Sequence, residues 1–351
     1  MTMLEHVAKE QKPLIGKSME DLEAFSQSLG QELFRGRQLF DWIYRKNVYN
    51  FSEMSDLPIS LREKLSGMPL HPLRMVNDHV SNSKQTQKFL FELESGEYIE
   101  SVLMKDGKRV TVCLSTQVGC AVNCDFCATG KMGFIQNLTA GEIVDQFLQL
   151  QNIIKDKITN VVFMGMGEPF LNYTNVLNAC KILNDAKGFN ISSKKITIST
   201  SGILPQIKKF VKDKEKYKLA ISLNASNNEL RNKLIPINKK WPIESLIYEL
   251  RKYKFNKYRP IMFEYVLMEN INDTENDAKA LSEILKDFNC KVNIIPYNSI
   301  SKEYKRPEIE KINNFVAALD RTNSNFKTFI RWSKGIDINA ACGQLATENG
   351  L

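Results

Sequence analysis

Three thiols fall within eight residues in Cys120-Ala-Val-Asn-Cys124-Asp-Phe-Cys127. Closely spaced thiolates are the usual ligands of iron-sulfur clusters. Three cysteines on a four-iron cluster leave one iron open to a small ligand. A structural zinc ion is the bland alternative. It normally has four closed ligands, and only Cys113 stands near enough in sequence to complete such a set. The three histidines, His6, His71 and His79, all precede Val80. The rest of the chain therefore holds no Cys/His zinc site, Ser-His-Asp triad or histidine general base.

A second candidate is Gly165-Met166-Gly167-Glu168-Pro169, at the expected C-terminal end of a strand. Glycines let backbone approach a ligand closely, and a carboxylate there can accept hydrogen bonds from an ammonium group. The remaining cysteines read differently on pattern alone. Cys113 and Glu100 sit on alternating strands, as a small buried residue and a solvent-facing one. Cys342 lies between Ala341 and Gly343 near the C-terminus and could serve packing, while Cys180 and Cys290 fall in amphipathic or apolar stretches that read as core.

The elements that must position these groups change character along the chain. Ser18-Met-Glu-Asp opens a capping box, and Leu22, Phe25, Leu29, Leu33, Leu39, Phe40, Trp42 and Ile43 recur at helical spacing. From Lys88 the period becomes two, over 88–93, 98–105 and 109–115, punctuated by Ser95-Gly96 and Asp106-Gly107. Beyond Cys127, helices over 140–154, 174–186, 203–212, 243–254 and 274–288 alternate with strands over 160–166, 194–199, 217–223, 261–267 and 291–296. Such alternation builds a parallel sheet covered by helices. The roughly 250 residues from position 96 suit a partial or full TIM-like (β/α) barrel, with chemistry at the C-terminal strand ends. The expected division is a helical domain over 1–75, a β-hairpin linker over 76–105 and the barrel over 106–351.

Seven cysteines without a secretory signal suggest a reducing compartment. No apolar run approaches the roughly 20 residues of a membrane span, so a cytoplasmic location is expected. The net charge of +8 is uneven: up to Ser95 there are 12 Lys/Arg against 13 Asp/Glu, and beyond it 36 against 27. The basic clusters are Lys194, Lys195, Lys208, Lys209, Lys212, Lys214, Lys216 and Lys218, the stretch Arg251–Arg259, and Lys302–Arg306. A polyanion such as nucleic acid would suit them, and an ordinary solvated surface is the alternative. Arg35, Arg37, Arg45 and Lys46 in the helical part could also meet phosphate.

The CxxxCxxC spacing, with Phe126 before the last cysteine, resembles the radical S-adenosylmethionine (SAM) superfamily. Ser115 to Phe134, Asn137-Leu-Thr139, Met164 to Pro169, Ser199-Thr-Ser-Gly202 and Gly335-Ile-Asp-Ile-Asn-Ala-Ala-Cys-Gly-Gln344 together resemble the RlmN family of adenine-C2 RNA methyltransferases. The resemblance implies a radical SAM barrel preceded by a helical accessory RNA-binding domain. It implies a 4Fe-4S cluster on Cys120, Cys124 and Cys127, and SAM contacts from Gly167, Glu168, Ser199, Ser222, Leu223, Asn224 and Asn298. Asn224 stands where the family usually has histidine. Cys342 is then the methyl carrier, Cys113 the second functional cysteine and Glu100 the base. One SAM would methylate Cys342, and a second would supply the radical that activates that methyl group for addition to carbon 2, a position too electron-poor for polar methyl transfer. The implied partners are 23S rRNA, tRNA and a one-electron reductant such as flavodoxin, with the enzyme a monomer.

Two alternatives are a Cfr-type enzyme acting on adenine carbon 8 and a zinc-stabilised RNA-binding protein. Cfr-type sequences tend to read Cys-Gly-Cys at the first cluster ligand and Gly-Glu-Ala in the SAM loop. Val118-Gly119-Cys120 and Glu168-Pro169 here favour carbon 2.

Overall fold

The structure, a computed structural model, describes residues 13–253, 260–322 and 325–347. Lys254, Lys257 and Arg259 of the basic stretch, His6 and the ends of the outer segments lie outside the described residues.

Helices α1 (Met19–Ser28), α2 (Leu33–Tyr44) and α3 (Ile59–Leu65) open the described chain. Ser18 caps α1 as its sequence predicts: its hydroxyl accepts the Asp21 N–H at 3.1 Å, and the Asp21 carboxylate accepts the Ser18 N–H at 2.9 Å. Leu22, Leu39, Phe40 and Ile43 bury the shared face. The two helices cross at Gly36, where a Cβ would lie 2.4 Å from Glu23 backbone. The Tyr44 hydroxyl accepts the Gly16 N–H at 2.8 Å and donates to the Lys17 carbonyl at 2.9 Å, while its ring packs edge-on against Phe189. The helical part therefore shares one core with the barrel.

Strands β1 (Leu73–Val80), β2 (Thr86–Leu93), β3 (Tyr98–Asp106) and β4 (Arg109–Cys113) form an antiparallel meander. Its two expected hairpins turn at Gly96 and Gly107, both at positive φ. A separate two-stranded sheet, β5 (Gln117–Gly119) with β6 (Phe134–Asn137), brackets the cysteine loop and the short helix α4 (Ala128–Lys131). The βα alternation follows: α5 (Ala140–Ile153), β7 (Asn160–Phe163), α6 (Tyr173–Asn184), β8 (Ile196–Thr200), α7 (Leu204–Lys212) and β9 (Lys218–Ser222). Then come α8 (Asn228–Leu234), α9 (Ile243–Arg251), β10 (Ile261–Leu267), α10 (Glu275–Leu285), β11 (Cys290–Pro296), α11 (Ile309–Thr322) and β12 (Lys327–Ile330).

The main sheet runs β1-β2-β3-β4-β7-β8-β9-β10-β11-β12, parallel from β4 onward. Among the described residues β12 pairs with β11 alone, so the partial form of the expected barrel is realised. The sheet nonetheless curls: Thr111 and Cys113 of β4 line one cavity with Ile295 of β11 and Arg331 just beyond β12. That curl brings the C-terminal segment back over the strand ends.

Candidate active site

The cysteine loop is set by backbone packing. Gly119 ends β5 at φ +67°, where a Cβ would lie 1.7 Å from the Gly133 carbonyl oxygen, and Cys120 N–H donates to that same oxygen at 2.8 Å. Asp125 N–H donates to Leu234 O at 3.1 Å, tying the loop to α8. Two bonds clip the C-terminal segment to the other flank: Ala128 N–H to Gly343 O at 2.7 Å, and the Thr129 hydroxyl to Leu345 O at 2.5 Å.

Cys120, Cys124 and Cys127 line one pocket with Glu168, Ser199 and Ser222. Among the described residues no three His, Cys, Asp or Glu side chains converge as tightly as a single metal ion requires. The donor set of three thiols at the rim of a shared chamber instead suits a polynuclear cluster, in which each thiolate meets a different iron. Burial pushes the Cys120 thiol up to about 12 and raises Cys124 and Cys127 as well, with the neighbouring thiols adding to the rise on Cys124. Iron ligation deprotonates such thiols outright, so the charge that burial disfavours is balanced by the metal.

The opposite wall holds the remaining candidates. Gly167 adopts φ +96°, and a Cβ there would lie 2.5 Å from Gln117 Cβ, which fixes glycine in the turn. Glu168 is buried; its Oε1 accepts Phe170 N–H at 2.9 Å, and its Oε2 accepts the Ser201 N–H and hydroxyl at 2.7 and 2.8 Å. Ser199 Oγ and Ser222 Oγ stand 3.3 Å apart. Asn298 donates to Cys342 O at 3.0 Å and accepts from Arg306 at 2.7 Å. One member of the basic Lys302–Arg306 cluster thus buttresses the site. Asn224 reaches the pocket wall at φ +59°, with its Oδ1 taken by Val266 N–H at 2.8 Å. Leu223 lies behind the wall, its side chain in the core and its carbonyl bonded to Arg231.

Cys342 belongs to two chambers at once: the cysteine-loop pocket and a second one lined by Cys113, Met164, Arg331 and Trp332. Cys113 is 7% exposed, and burial drives its thiol up to about 12, with Cys342 adding to the rise and Arg331 opposing it. The Arg331 guanidinium contacts Met164 Sδ at 3.5 Å, and its charge is favoured most by the Cys342 sulfur.

Glu100 is placed elsewhere. It lines a third cavity with His79, Lys88, Gln344 and Ala346, distinct from the one that holds Cys113. Its Oε1 pairs with Lys88 Nζ at 2.7 Å and its Oε2 accepts Ala346 N–H at 3.1 Å. Burial raises its pKa and Lys88 opposes that rise.

Sequence reasoning missed Arg331, which carried no motif, and Arg231, which reads as one more surface charge on a short helix. Arg231 is fully buried. It donates to Leu223 O, Asn238 Oδ1, Ser201 O and Ser222 O at 2.9, 2.7, 2.6 and 3.1 Å, clamping the ends of β8 and β9 where the pocket forms.

The model of the Radical SAM superfamily matches residues 114–281, and that of the "Ribosomal RNA large subunit methyltransferase N-terminal domain" matches residues 13–69. A protein of Pseudothermotoga lettingae described as "Probable dual-specificity RNA methyltransferase RlmN" is 43% identical over 326 residues, covering 93% of this chain and 94% of its own. One of the same description from Trichodesmium erythraeum is 44% identical over 337 residues, covering 95% and 96%. The crystal structure of a radical SAM methyltransferase from Sphaerobacter thermophilus superposes with a TM-score of 0.91 at 40% identity, covering 95% of this chain and 99% of that one.

Proposed function

The chain belongs to the RlmN family of radical SAM RNA methyltransferases, and on that premise we propose that it methylates carbon 2 of an adenine in 23S rRNA and in tRNA, with Cys342 as methyl carrier and Cys113 as resolving thiol. The observation that carries this reading is the position of Cys342, shared between the cysteine-loop pocket and the pocket of Cys113.

When bound, the 4Fe-4S cluster and SAM supply a methyl donor and an adenosyl radical. Cys120, Cys124 and Cys127 would hold the cluster, and Gly167, Glu168, Ser199, Ser222 and Asn298 would orient SAM. Cys342, at the junction of the two chambers, would then present its methyl group toward the one lined by Cys113, Arg331 and Trp332. After the carbon-carbon bond has formed and the adduct has lost one electron and its carbon 2 proton, the Cys113 thiolate attacks Cys342 Sγ. An S–S bond forms as the S–C bond breaks, the electron pair passes to the former methyl carbon, and that carbon takes up a proton to become the product methyl, leaving a Cys113–Cys342 disulfide for an external reductant to reopen. Glu100 is the base in this reading, its two oxygens held in the structure by Lys88 and by the Ala346 N–H. The reading includes a flavodoxin-like electron donor, a monomeric working form and a cytoplasmic location; no described helix is long and apolar enough to cross a membrane.

The test is nucleoside analysis of rRNA and tRNA treated with the cluster-reconstituted enzyme, SAM and a one-electron donor. 2-Methyladenosine is expected in both. 8-Methyladenosine would overturn the carbon 2 assignment, and a colourless zinc protein would overturn the enzyme reading.

A further inference from the structure

The floor of the cysteine-loop pocket carries polar side chains on neighbouring strands. Ser222 of β9 lies opposite Glu264 of β10, and Glu264 opposite Asn293 of β11. Side chains two apart on a strand share a face, and Glu264 and Val266 both line the pocket. Asn293 Nδ2 holds Glu264 Oε1 at 2.9 Å. Glu264 Oε2 is buried and has no hydrogen-bond partner, in a residue only 4% exposed.

A carboxylate oxygen removed from water and left without a donor is costly, so one that persists in a pocket calls for a ligand donor. Glu168, the other carboxylate of this pocket, has both oxygens engaged by protein donors. Burial raises the Glu264 pKa and Arg331 opposes that rise, while no protein group, Arg331 included, donates a hydrogen bond to Oε2.

We propose that Glu264 Oε2 accepts hydrogen bonds from the ribose hydroxyls of SAM. The neighbouring groups decide the chemistry. Ser222, opposite Glu264 in the sheet, and Ser199 line the same pocket, and their hydroxyls, 3.3 Å apart, can each donate or accept. A ribose hydroxyl matches that mixed set, donating to Glu264 while accepting from serine. An ammonium donates only, the sulfonium offers no hydrogen, and an adenine edge carries its donor and acceptor on separate atoms, whereas each ribose hydroxyl is both. Glu264 is thus a positioning residue that fixes the adenosyl end of the cofactor. The proposal rests on SAM being the cofactor.

The test measures binding, without electrons or turnover, of S-adenosylhomocysteine and its 2′-deoxy and 3′-deoxy forms to the cluster-reconstituted enzyme. A hydrogen bond to a buried charge predicts that losing the relevant hydroxyl weakens binding about tenfold or more. Glu264→Gln should weaken S-adenosylhomocysteine by a similar factor and abolish the preference for the full ribose. The same weakening should persist with 5′-methylthioadenosine, which keeps the ribose and lacks the ammonium. Equal affinity of the unmodified enzyme for the full and deoxy ligands overturns the proposal, as does an effect of Glu264→Gln that vanishes with methylthioadenosine. If Glu264→Gln does not fold, Glu264→Asp, which keeps the carboxylate but draws it back, takes its place: it should lose the preference for the full ribose, and an unchanged preference overturns the proposal. An enzyme that binds neither SAM nor S-adenosylhomocysteine would instead sink the cofactor reading itself.

Discussion

A thiol held near 12 is almost wholly protonated at neutral pH, and Cys113 sits in that condition beside Cys342. The nucleophilic step that the proposed scheme assigns to it therefore needs its proton removed, with Arg331 the cation placed to favour a thiolate there. In the proposed scheme Cys113 is needed only after the carbon-carbon bond exists. Cys113→Ala should accumulate a covalent protein-RNA adduct that maps to the Cys342 peptide, and Cys342→Ala should form none. Denaturing electrophoresis with labelled RNA reads this directly. Normal turnover by Cys113→Ala would return Cys113 to the role of a core residue. At this scale the sequence is legible where chemistry imposes a pattern: the cysteine spacing and the Gly165–Pro169 turn both reach the pocket. Glu100, Arg331 and Glu264 were not placed by pattern, because each depends on which elements fold against it.

Arg231 shows how one element end depends on another. Three of its acceptors are backbone carbonyls, at Ser201, Ser222 and Leu223, and the fourth is Asn238 Oδ1. Removing the guanidinium leaves those carbonyls buried without donors. Arg231→Ala should cost about 3 kcal/mol or more by chemical denaturation. Lysine should rescue little of it, since one ammonium cannot reproduce the planar fork. A variant as stable as the parent would show that the strand ends hold themselves. The five helices and five strands read from period are present with boundaries moved by a few residues, whereas helices α8 and α11 were not read. Strand β1 was not, since Arg74, Asn77, Asp78 and His79 break any apolar alternation, and seven of its eight positions are not buried. β12 is four residues long with no buried position, so it offers no periodic signal.

For the whole molecule, the uneven charge in the sequence bears on which face would hold the proposed RNA substrate. The basic residues of the helical part are largely engaged locally: Arg37 with Glu23, Arg45 and Lys46 with Asp41, and Arg35 with Gln38 and the Asp56 carbonyl. Beyond Ser95, 36 Lys/Arg face 27 Asp/Glu, and Arg109 and Lys334 stand on the wall of the chamber shared by Cys113 and Cys342. The curl that brings β4 to face the chain beyond β12 creates that chamber, and no local pattern announces it. Because Tyr44 and Phe40 pack into the shared core, deleting the helices would expose apolar surface and confuse folding with binding. Salt dependence avoids that difficulty. Each phosphate neutralised by Lys or Arg releases counterions, so the logarithm of affinity should fall linearly with the logarithm of salt, by about 0.7 to 0.9 per contact. Binding of the RNA substrate should weaken steeply between low and physiological salt, and Arg109→Ala should lower the slope by about one. Arg37→Ala, already paired with Glu23, should leave it unchanged. A slope of zero would remove phosphate neutralisation from the affinity altogether, and one lowered by Arg37→Ala rather than Arg109→Ala would place the RNA on the helical face instead of over the barrel mouth.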